Sequence, residues 1–493
     1  MAEDGNWILP RLNNRIYPDK PPVFFWLIAI SYAIFGEVSS LSARFPSALA
    51  GVLGIILTYC MGRALKSARA GFISSLVLAT TVEFFWLARR ANIDLTLTLF
   101  ISAALFFYYK GYRDVSPRFY YLYYLFIALA TLTKGPVGFI LPLLTVIAHL
   151  AAMKDFKAIK KVFSHPGLLL FFIIIFSWLI PSAMAGGRKY VDEIIFNQML
   201  GRVYDSWSHK EPLYYYFLSF PPLLLPWIFF LPGAFIYGFS RKRQAPGEDA
   251  FFPAVWFITV FAFFSLCSGK RTLYLLPLLP AFALMVGLMW DRFFDDDGEK
   301  AVPGLVRIPV YLLLCSLIVA CIALPWYSAL FKSEHRVFNY YPPALILAAS
   351  SIAALIIFVK KKAALTLAML MTIMAAGFLY TAAFVFPALN ESNSAKAFSL
   401  KIKALVKNDD LLVSFCKDNA SFIYYSGIRE IKELETPFDL TAVMMNSPQR
   451  VFCLIYKNDF DKIVPVVPFR MFRWYEGKAD DHEMLLISNH ERS

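Results

Sequence analysis

The sequence predicts an all-α, multi-pass membrane protein of about 12 transmembrane helices, followed by a small C-terminal α/β soluble domain. Three observations predict it. Of 493 residues, 58% are hydrophobic and 17% charged, whereas a soluble domain carries about a quarter charged residues. The apolar excess gathers into runs of about 17–25 residues, the length a helix needs to cross roughly 30 Å of hydrocarbon. From residue 391 onward these runs give way to short apolar stretches bounded by Asp, Asn, Gly or Pro, the pattern of strands rather than spans.

The elements follow in order. Met1 to Lys20 is polar and holds no signal peptide or anchor. Residues 23–36 (VFFWLIAISYAIFG) are apolar but too few to span. Rich in Phe and Trp and preceded by Lys20-Pro21-Pro22, they read as a helix lying in the interface. Spans are expected at 45–64, 70–89, 93–110, 119–133, 136–152, 166–185, 213–238, 251–268, 272–290, 307–331, 341–359 and 364–388. In the last segment 395–407 has helical spacing, and 411–416, 421–427, 450–456 and 482–488 read as strands. The chain thus divides into an outer-face juxtamembrane segment (1–44), a membrane domain (45–390) and an extracytoplasmic α/β domain (391–493).

The net charge of +13 does not indicate a nucleic-acid partner, because Lys and Arg punctuate the apolar runs. With the first span starting outside, the inner loops hold nineteen Lys and Arg and the outer loops eleven. The positive-inside tendency therefore places the N-terminus and the segment after 388 outside. Twelve spans with both ends outside leave nothing to translocate the N-terminal tail, and one helix upstream of Met1 would repair this. Cys60, Cys267, Cys315 and Cys321 lie in apolar runs and read as packing residues. Cys416 and Cys453 could pair if their segment is extracytoplasmic. Zinc-finger, metalloprotease and P-loop spacings are absent from the sequence.

Polar residues cluster in four places that this topology opens on the outer face. Tyr17-Pro18-Asp19-Lys20-Pro21-Pro22 could set a metal ligand and a phosphate-binding cation at headgroup level, or be a snorkelling Lys before a Pro-started helix. Arg89-Arg90-Ala91-Asn92-Ile93-Asp94 puts two Arg on the outer side, to bind phosphate or to pair with Asp94 and lipid headgroups. The loop 186–212 holds Arg202 and His209 before Tyr214-Tyr215-Tyr216, and a loop this long is usually functional or disordered. His209 could be a ligand, a base or simply exposed. Ser268 to Pro277 offers Lys270 and Arg271 at a helix start, with Tyr274 one turn deeper, for phosphate capture or interfacial anchoring. Glu83, Lys134 and His149 have weaker claims. They would suit a transporter's proton path but show no repeat-related pairing.

Taken in order, these segments resemble the GT-C glycosyltransferases that use polyprenyl-phosphate sugars, above all the aminoarabinose lipid A transferase and protein O-mannosyltransferase group. The likeness rests on Gly5-Asn6-Trp7-Ile8-Leu9-Pro10, Asp19 to Trp26, Arg44-Phe45-Pro46-Ser47-Ala48, Asp94, Thr133-Lys134-Gly135-Pro136, His209 through the Tyr cluster, and Lys270 to Pro280. It covers the chain to about residue 290. The resemblance implies a hexosyl- or pentosyltransferase of the bacterial inner membrane. Such an enzyme inverts the anomeric carbon as it moves a sugar from a polyprenyl-phosphate donor to a lipid, glycan or protein acceptor. It assigns Asp19 and His209 to a divalent metal ion, Lys20, Arg202, Lys270 and Tyr274 to the donor phosphate, and Tyr17, Arg89 and Asp94 to the cavity. The family's acceptor-activating acid precedes the Gly-Asn-Trp segment, which here begins four residues after Met1. That acid is therefore expected upstream of Met1. The other readings are a non-catalytic binder of lipid-linked sugar and a secondary transporter.

Overall fold

The structure is a computed structural model. It describes residues 1, 5–194, 211–240, 249–295, 303–330, 341–387, 390, 394–407, 409–416, 419–465, 467–479 and 482–491. These form two units: Met1–Pro10 with Tyr17–Phe378, and Arg11–Ile16 with Leu379–Ser493.

The first unit is a bundle of helices. Among the described residues of the chain, seven helices are long and apolar enough to cross a membrane, or up to nine if each of two bent pairs counts as one span. Helix α1 (Val23–Phe35) has 13 residues, too few for a crossing. It closes on Gly36 at φ 73°, and its Ser31 hydroxyl donates to the Ser42 carbonyl at 2.6 Å. That bond ties it to α2 (Ser40–Leu65), which starts five residues earlier than hydropathy indicates. A reciprocal cap explains the early start, with Ser39 and Ser42 each accepting the other's backbone N–H.

The expected span 70–89 is broken into α3 (Ala68–Ala79) and α4 (Val82–Ala88), bent by 68°. At the break the hydroxyls of Thr80 and Thr81 donate to the Leu76 and Val77 carbonyls at 2.6 and 2.8 Å. Such back-bonding bends helices. The span 213–238 is likewise bent, by 111°, between Tyr215–Leu224 and Trp227–Phe239. The two breaks brace each other. The Val82 N–H donates to the Leu225 carbonyl at 2.9 Å, and Trp227 Nε1 donates to the Thr80 hydroxyl at 3.0 Å.

Helices α5 (Ile93–Arg113) and α6 (Arg118–Lys134) form an antiparallel hairpin, followed by α7 (Val137–Ala152) after Gly135. The bundle's centre is the stretch Thr272–Phe293, a 3₁₀ segment running into α8 (Leu279–Phe293), every residue of which is buried. Close approach around it depends on small residues. A Cβ on Gly62 would lie 2.6 Å from the Gly71 Cα, and one on Gly287 would lie 2.6 Å from the Ser74 nitrogen. This is the small-residue logic of helix contact in lipid, where burial of apolar surface drives little association. Three further helices, α9 (Pro303–Leu330), α10 (Tyr341–Val359) and α11 (Ala363–Tyr380), follow.

The second unit carries two sheets. In the first, β1 (Arg11–Leu12) and β2 (Arg15–Ile16) form a hairpin turning on Asn13 and Asn14, both at positive φ. The Asn13 amide accepts from the Ile431 N–H at 2.8 Å and donates to the Ile431 carbonyl at 2.9 Å. In the second, β3 (Leu411–Ser414), β4 (Lys432–Glu433), β5 (Val451–Tyr456), β6 (Phe472–Ala479) and β7 (His482–Ser488) lie in the order β4-β3-β5-β7-β6. Pairings of β3 with β4 and β5 are parallel, and those of β7 with β5 and β6 antiparallel.

Residues 421–427 are not a strand. Ala420–Ser426 is a helix closed by Gly427 at φ 74°, and it buries Phe422 and Ser426, four residues apart on one face. Cys416 and Cys453 are free, buried thiols. Cys416 packs with Leu412, Phe452 and Leu454, and Cys453 with Val413 and Ile455. Alternation along the paired strands puts these sets on opposite faces of the sheet, so no disulfide can form. Burial pushes the Cys416 thiol up to about 12.

Candidate functional site

Three of the predicted polar segments converge at one end of the membrane unit. Asn92 caps α5, its side-chain oxygen accepting from the N–H groups of Asp94 and Leu95 at 2.8 and 3.2 Å. The Ser47 hydroxyl holds this cap to α2, accepting from the Asn92 N–H at 2.9 Å and donating to its carbonyl at 3.1 Å. Asp94 is thereby fixed in the first turn of α5 and is 5% exposed. In the antiparallel hairpin the start of α5 meets the end of α6. The last residue of α6, Lys134, forms an ion pair with the Asp94 carboxylate. Gly135, at φ 85°, turns the chain away immediately after it.

Tyr274 completes the cluster. It sits in the 3₁₀ segment packed against α5, and the Lys134 ammonium lies 4.5 Å from its ring centroid. Phe264 covers the ring at 5.5 Å. The neighbouring loops are tied by backbone contacts. Tyr216 donates to the Arg271 carbonyl at 3.1 Å, and the Glu211 N–H to the Ser268 carbonyl at 3.4 Å. Lys270 is buried, its ammonium donating to the carbonyls of Glu211 at 2.9 Å and Cys267 at 2.6 Å.

The other predicted residues are placed as follows. Tyr17 is half-buried, its ring edge-on to Phe25 at 6.1 Å and its N–H on the Pro10 carbonyl at 2.8 Å. Asp19 and Lys20 are half-buried ahead of α1, with the Lys20 ammonium 3.0 Å from the Asp19 carbonyl. Helix α1 packs on α2 and on α6, the helix that ends at Lys134. Arg90 lies over the Trp86 ring at 4.0 Å and Arg89 near the Phe85 ring at 5.8 Å, while Asp94 is paired with Lys134. Arg202 and His209 lie outside the described residues. Among the described residues no three His, Cys, Asp or Glu side chains are grouped to hold a metal. Asp19 is the one metal candidate among them.

Lys134 is the residue that sequence reasoning undervalued. It looked like an isolated intramembrane cation. Its signal was positional: Asp94 opens one helix of a hairpin and Lys134 closes the other, which brings opposite charges to the same level.

Comparison with known proteins fits this architecture. The sequence model of the family described as dolichyl-phosphate-mannose-protein mannosyltransferase matches residues 19–180. Crystal structures of ArnT from Cupriavidus metallidurans, apo and bound to undecaprenyl phosphate, superpose with a TM-score of 0.79 at 19% identity, covering 99% of this chain and 91% of theirs. The fold is that of the GT-C glycosyltransferases of the ArnT and protein-mannosyltransferase type. An uncharacterized Aquifex aeolicus protein is 29% identical over 343 residues, covering 69% of this chain and 65% of its own length. A Proteus mirabilis undecaprenyl phosphate-alpha-4-amino-4-deoxy-L-arabinose arabinosyl transferase is 24% identical over 330 residues, covering 66% of this chain and 58% of its own. The chain therefore spans less than two thirds of the length of these relatives. Within the GT-C fold, Asp94, Lys134, Lys270 and Tyr274 all belong to the membrane unit.

Proposed function

We propose that this chain is an inverting glycosyltransferase that moves a sugar from a polyprenyl-phosphate donor to a lipid, glycan or protein acceptor. The observation that carries this reading is the Asp94–Lys134–Tyr274 cluster, a half-buried cation held on a buried carboxylate in a GT-C bundle. In the reaction an acceptor oxygen attacks the anomeric carbon from the face opposite the phosphate. The carbon–oxygen bond to phosphate breaks, and its electron pair leaves with the polyprenyl phosphate. The acceptor's proton passes to a carboxylate base. Negative charge grows on the departing phosphate, and fixed cations in a low-dielectric site stabilise that growth more than they stabilise the bound donor. Lys20, Arg202, Lys270 and Tyr274 are assigned to the phosphate, with Lys134 beside the Tyr274 ring.

Full-length protein in proteoliposomes, given a labelled polyprenyl-phosphate sugar, should release polyprenyl phosphate. Lys20→Ala should lower that rate by about 10²–10³-fold, the usual effect of removing one charge-stabilising donor. A variant as fast as the parent would overturn the assignment. The reading also places the C-terminal unit on the extracytoplasmic side of a bacterial inner membrane. An alkaline phosphatase fusion after residue 388 should then be active, and an inactive fusion with an active cytoplasmic reporter would reverse the orientation.

A further inference from the structure

Arg44 to Ala48 lies near the start of α2 and holds none of the residues assigned to the donor or to the cavity. Pro46 and Ser47 are both buried there. A proline has no N–H, so Pro46 cannot donate to the carbonyl of Ser42, four residues earlier. That carbonyl accepts the Ser31 hydroxyl of α1 at 2.6 Å, and Ser31 and Ser42 are 1% and 0% exposed. Ser47, the next residue, takes both backbone groups of Asn92, the N–H at 2.9 Å and the carbonyl at 3.1 Å. Asn92 in turn caps α5 through the N–H groups of Asp94 and Leu95. Two neighbouring residues of α2 therefore hold two other helices. Helix α1 begins three residues after Lys20, with the stiff pair Pro21-Pro22 between. Helix α5 carries Asp94, whose carboxylate holds Lys134.

We propose that Pro46 and Ser47 form a positioning joint for sugar transfer, which sets Lys20 ahead of α1 against the Asp94–Lys134 pair at the start of α5. The two contacts fix different freedoms. One residue of helix is 1.5 Å of rise, so the Ser31–Ser42 bond sets the height at which α1 presents Lys20. The Ser47 clasp has two bonds, so it sets both the place and the direction of the α5 start. A misplacement of about 1 Å, made far from the reacting atoms, can cost about 100-fold in rate. Pro46 and Ser47 act through Lys20 and Lys134 and are positioning residues. Their role in transfer rests on the glycosyltransferase reading.

The test measures polyprenyl phosphate release per folded full-length molecule in proteoliposomes at saturating donor. Ser47→Ala and Ser31→Ala should each lower it by about tenfold. Pro46→Ala returns a competing N–H to the Ser42 carbonyl and should lower release by about threefold, near the lower end of what one hydrogen bond contributes. The double variants discriminate. On a Lys134→Met background Ser47→Ala should slow release no further, and on a Lys20→Ala background neither should Ser31→Ala, because each acts through the residue already lost. A merely structural role would multiply the losses, and multiplied losses overturn the proposal, as does parent-like release by Ser47→Ala. Hydrogen exchange of the same proteins tests the joint without turnover. Ser47→Ala should hasten exchange at Asp94 and Leu95, and Ser31→Ala within α1; unchanged exchange in both overturns the joint. If Lys20→Ala is as fast as the parent, the glycosyltransferase reading itself fails, and the role in transfer falls with it whatever the exchange shows.

Discussion

The two ends of the membrane unit each bury an aspartate, and they treat it differently. Asp291, 1% exposed, receives Arg69, the Lys66 ammonium at 3.3 Å and the Ser67 hydroxyl at 3.0 Å. Arg69 also donates to the Asp291 carbonyl at 2.9 Å. Asp94, 5% exposed, has Lys134 as its ion-pair partner among the described residues. A carboxylate accepts about four hydrogen bonds. The first aspartate is therefore nearly saturated and pins α3 to α8. The second is held by one cation, which at the same time faces a tyrosine ring. Saturation makes a joint, and a partly committed ion pair in a low-dielectric pocket retains the capacity to act on a third charge.

Breaking each pair separates the two roles. Asp291→Ala should give the largest stability loss, about 3–5 kcal/mol, because Lys66 and Arg69 are left to share Asp295 and the Ser67 hydroxyl loses its acceptor. Thermal unfolding in detergent reads this loss, and polyprenyl phosphate release per folded molecule should stay at the parent level. Lys134→Met should cost somewhat less stability, about 3 kcal/mol, but should lower release by about 100-fold. Adding Asp94→Leu to Lys134→Met should restore most of the melting temperature without restoring release. If the double variant regains release, Lys134 is a joint like Asp291 and the contrast fails.

The Asp410–Arg450 pair in the second unit provides the smallest effect and a calibration. Burial alone would raise the Asp410 carboxyl. The two hydrogen bonds from Arg450, at 2.9 and 2.7 Å, together with the Lys407 N–H at 2.7 Å and the charges of Arg450 and Lys407, outweigh burial and hold it below the usual carboxylate range. A carboxyl depressed in the folded state contributes stability that is fully present above its unfolded value, near 3.9, and is lost as pH falls through the folded value. Arg450→Met should flatten that acid-side loss in a pH-resolved melting series. An unchanged acid limb would show that the pair contributes nothing measurable, as exposed pairs often do.

The residues differ in how readily the sequence disclosed them. Apolar runs and their punctuation identified most membrane helices, because a spanning helix must satisfy its backbone internally and be apolar along its length. The clustering of Asp94, Lys270 and Tyr274 followed from counting spans, since alternate loops share a side. What the count missed was local or non-local chemistry. The 68° break at Thr80-Thr81 depends on hydroxyls bonding back to Leu76 and Val77, which hydropathy does not register. The helix at Ala420–Ser426 was mistaken for a strand because a short run such as Phe422-Ile423-Tyr424-Tyr425 fits either period until the Gly427 cap is seen.

Composition and periodicity by themselves determined that this chain crosses a membrane repeatedly and ends in an α/β unit. They did so because the cost of unpaired backbone in hydrocarbon leaves few alternatives. Tertiary structure alone decided that Asp94 answers to Lys134 rather than to Arg89 and Arg90, and that Cys416 and Cys453 lie on opposite faces of a sheet. Relations of this kind depend on which side chains face each other across dozens of residues of sequence, and helix packing and strand register fix that only once the chain has folded.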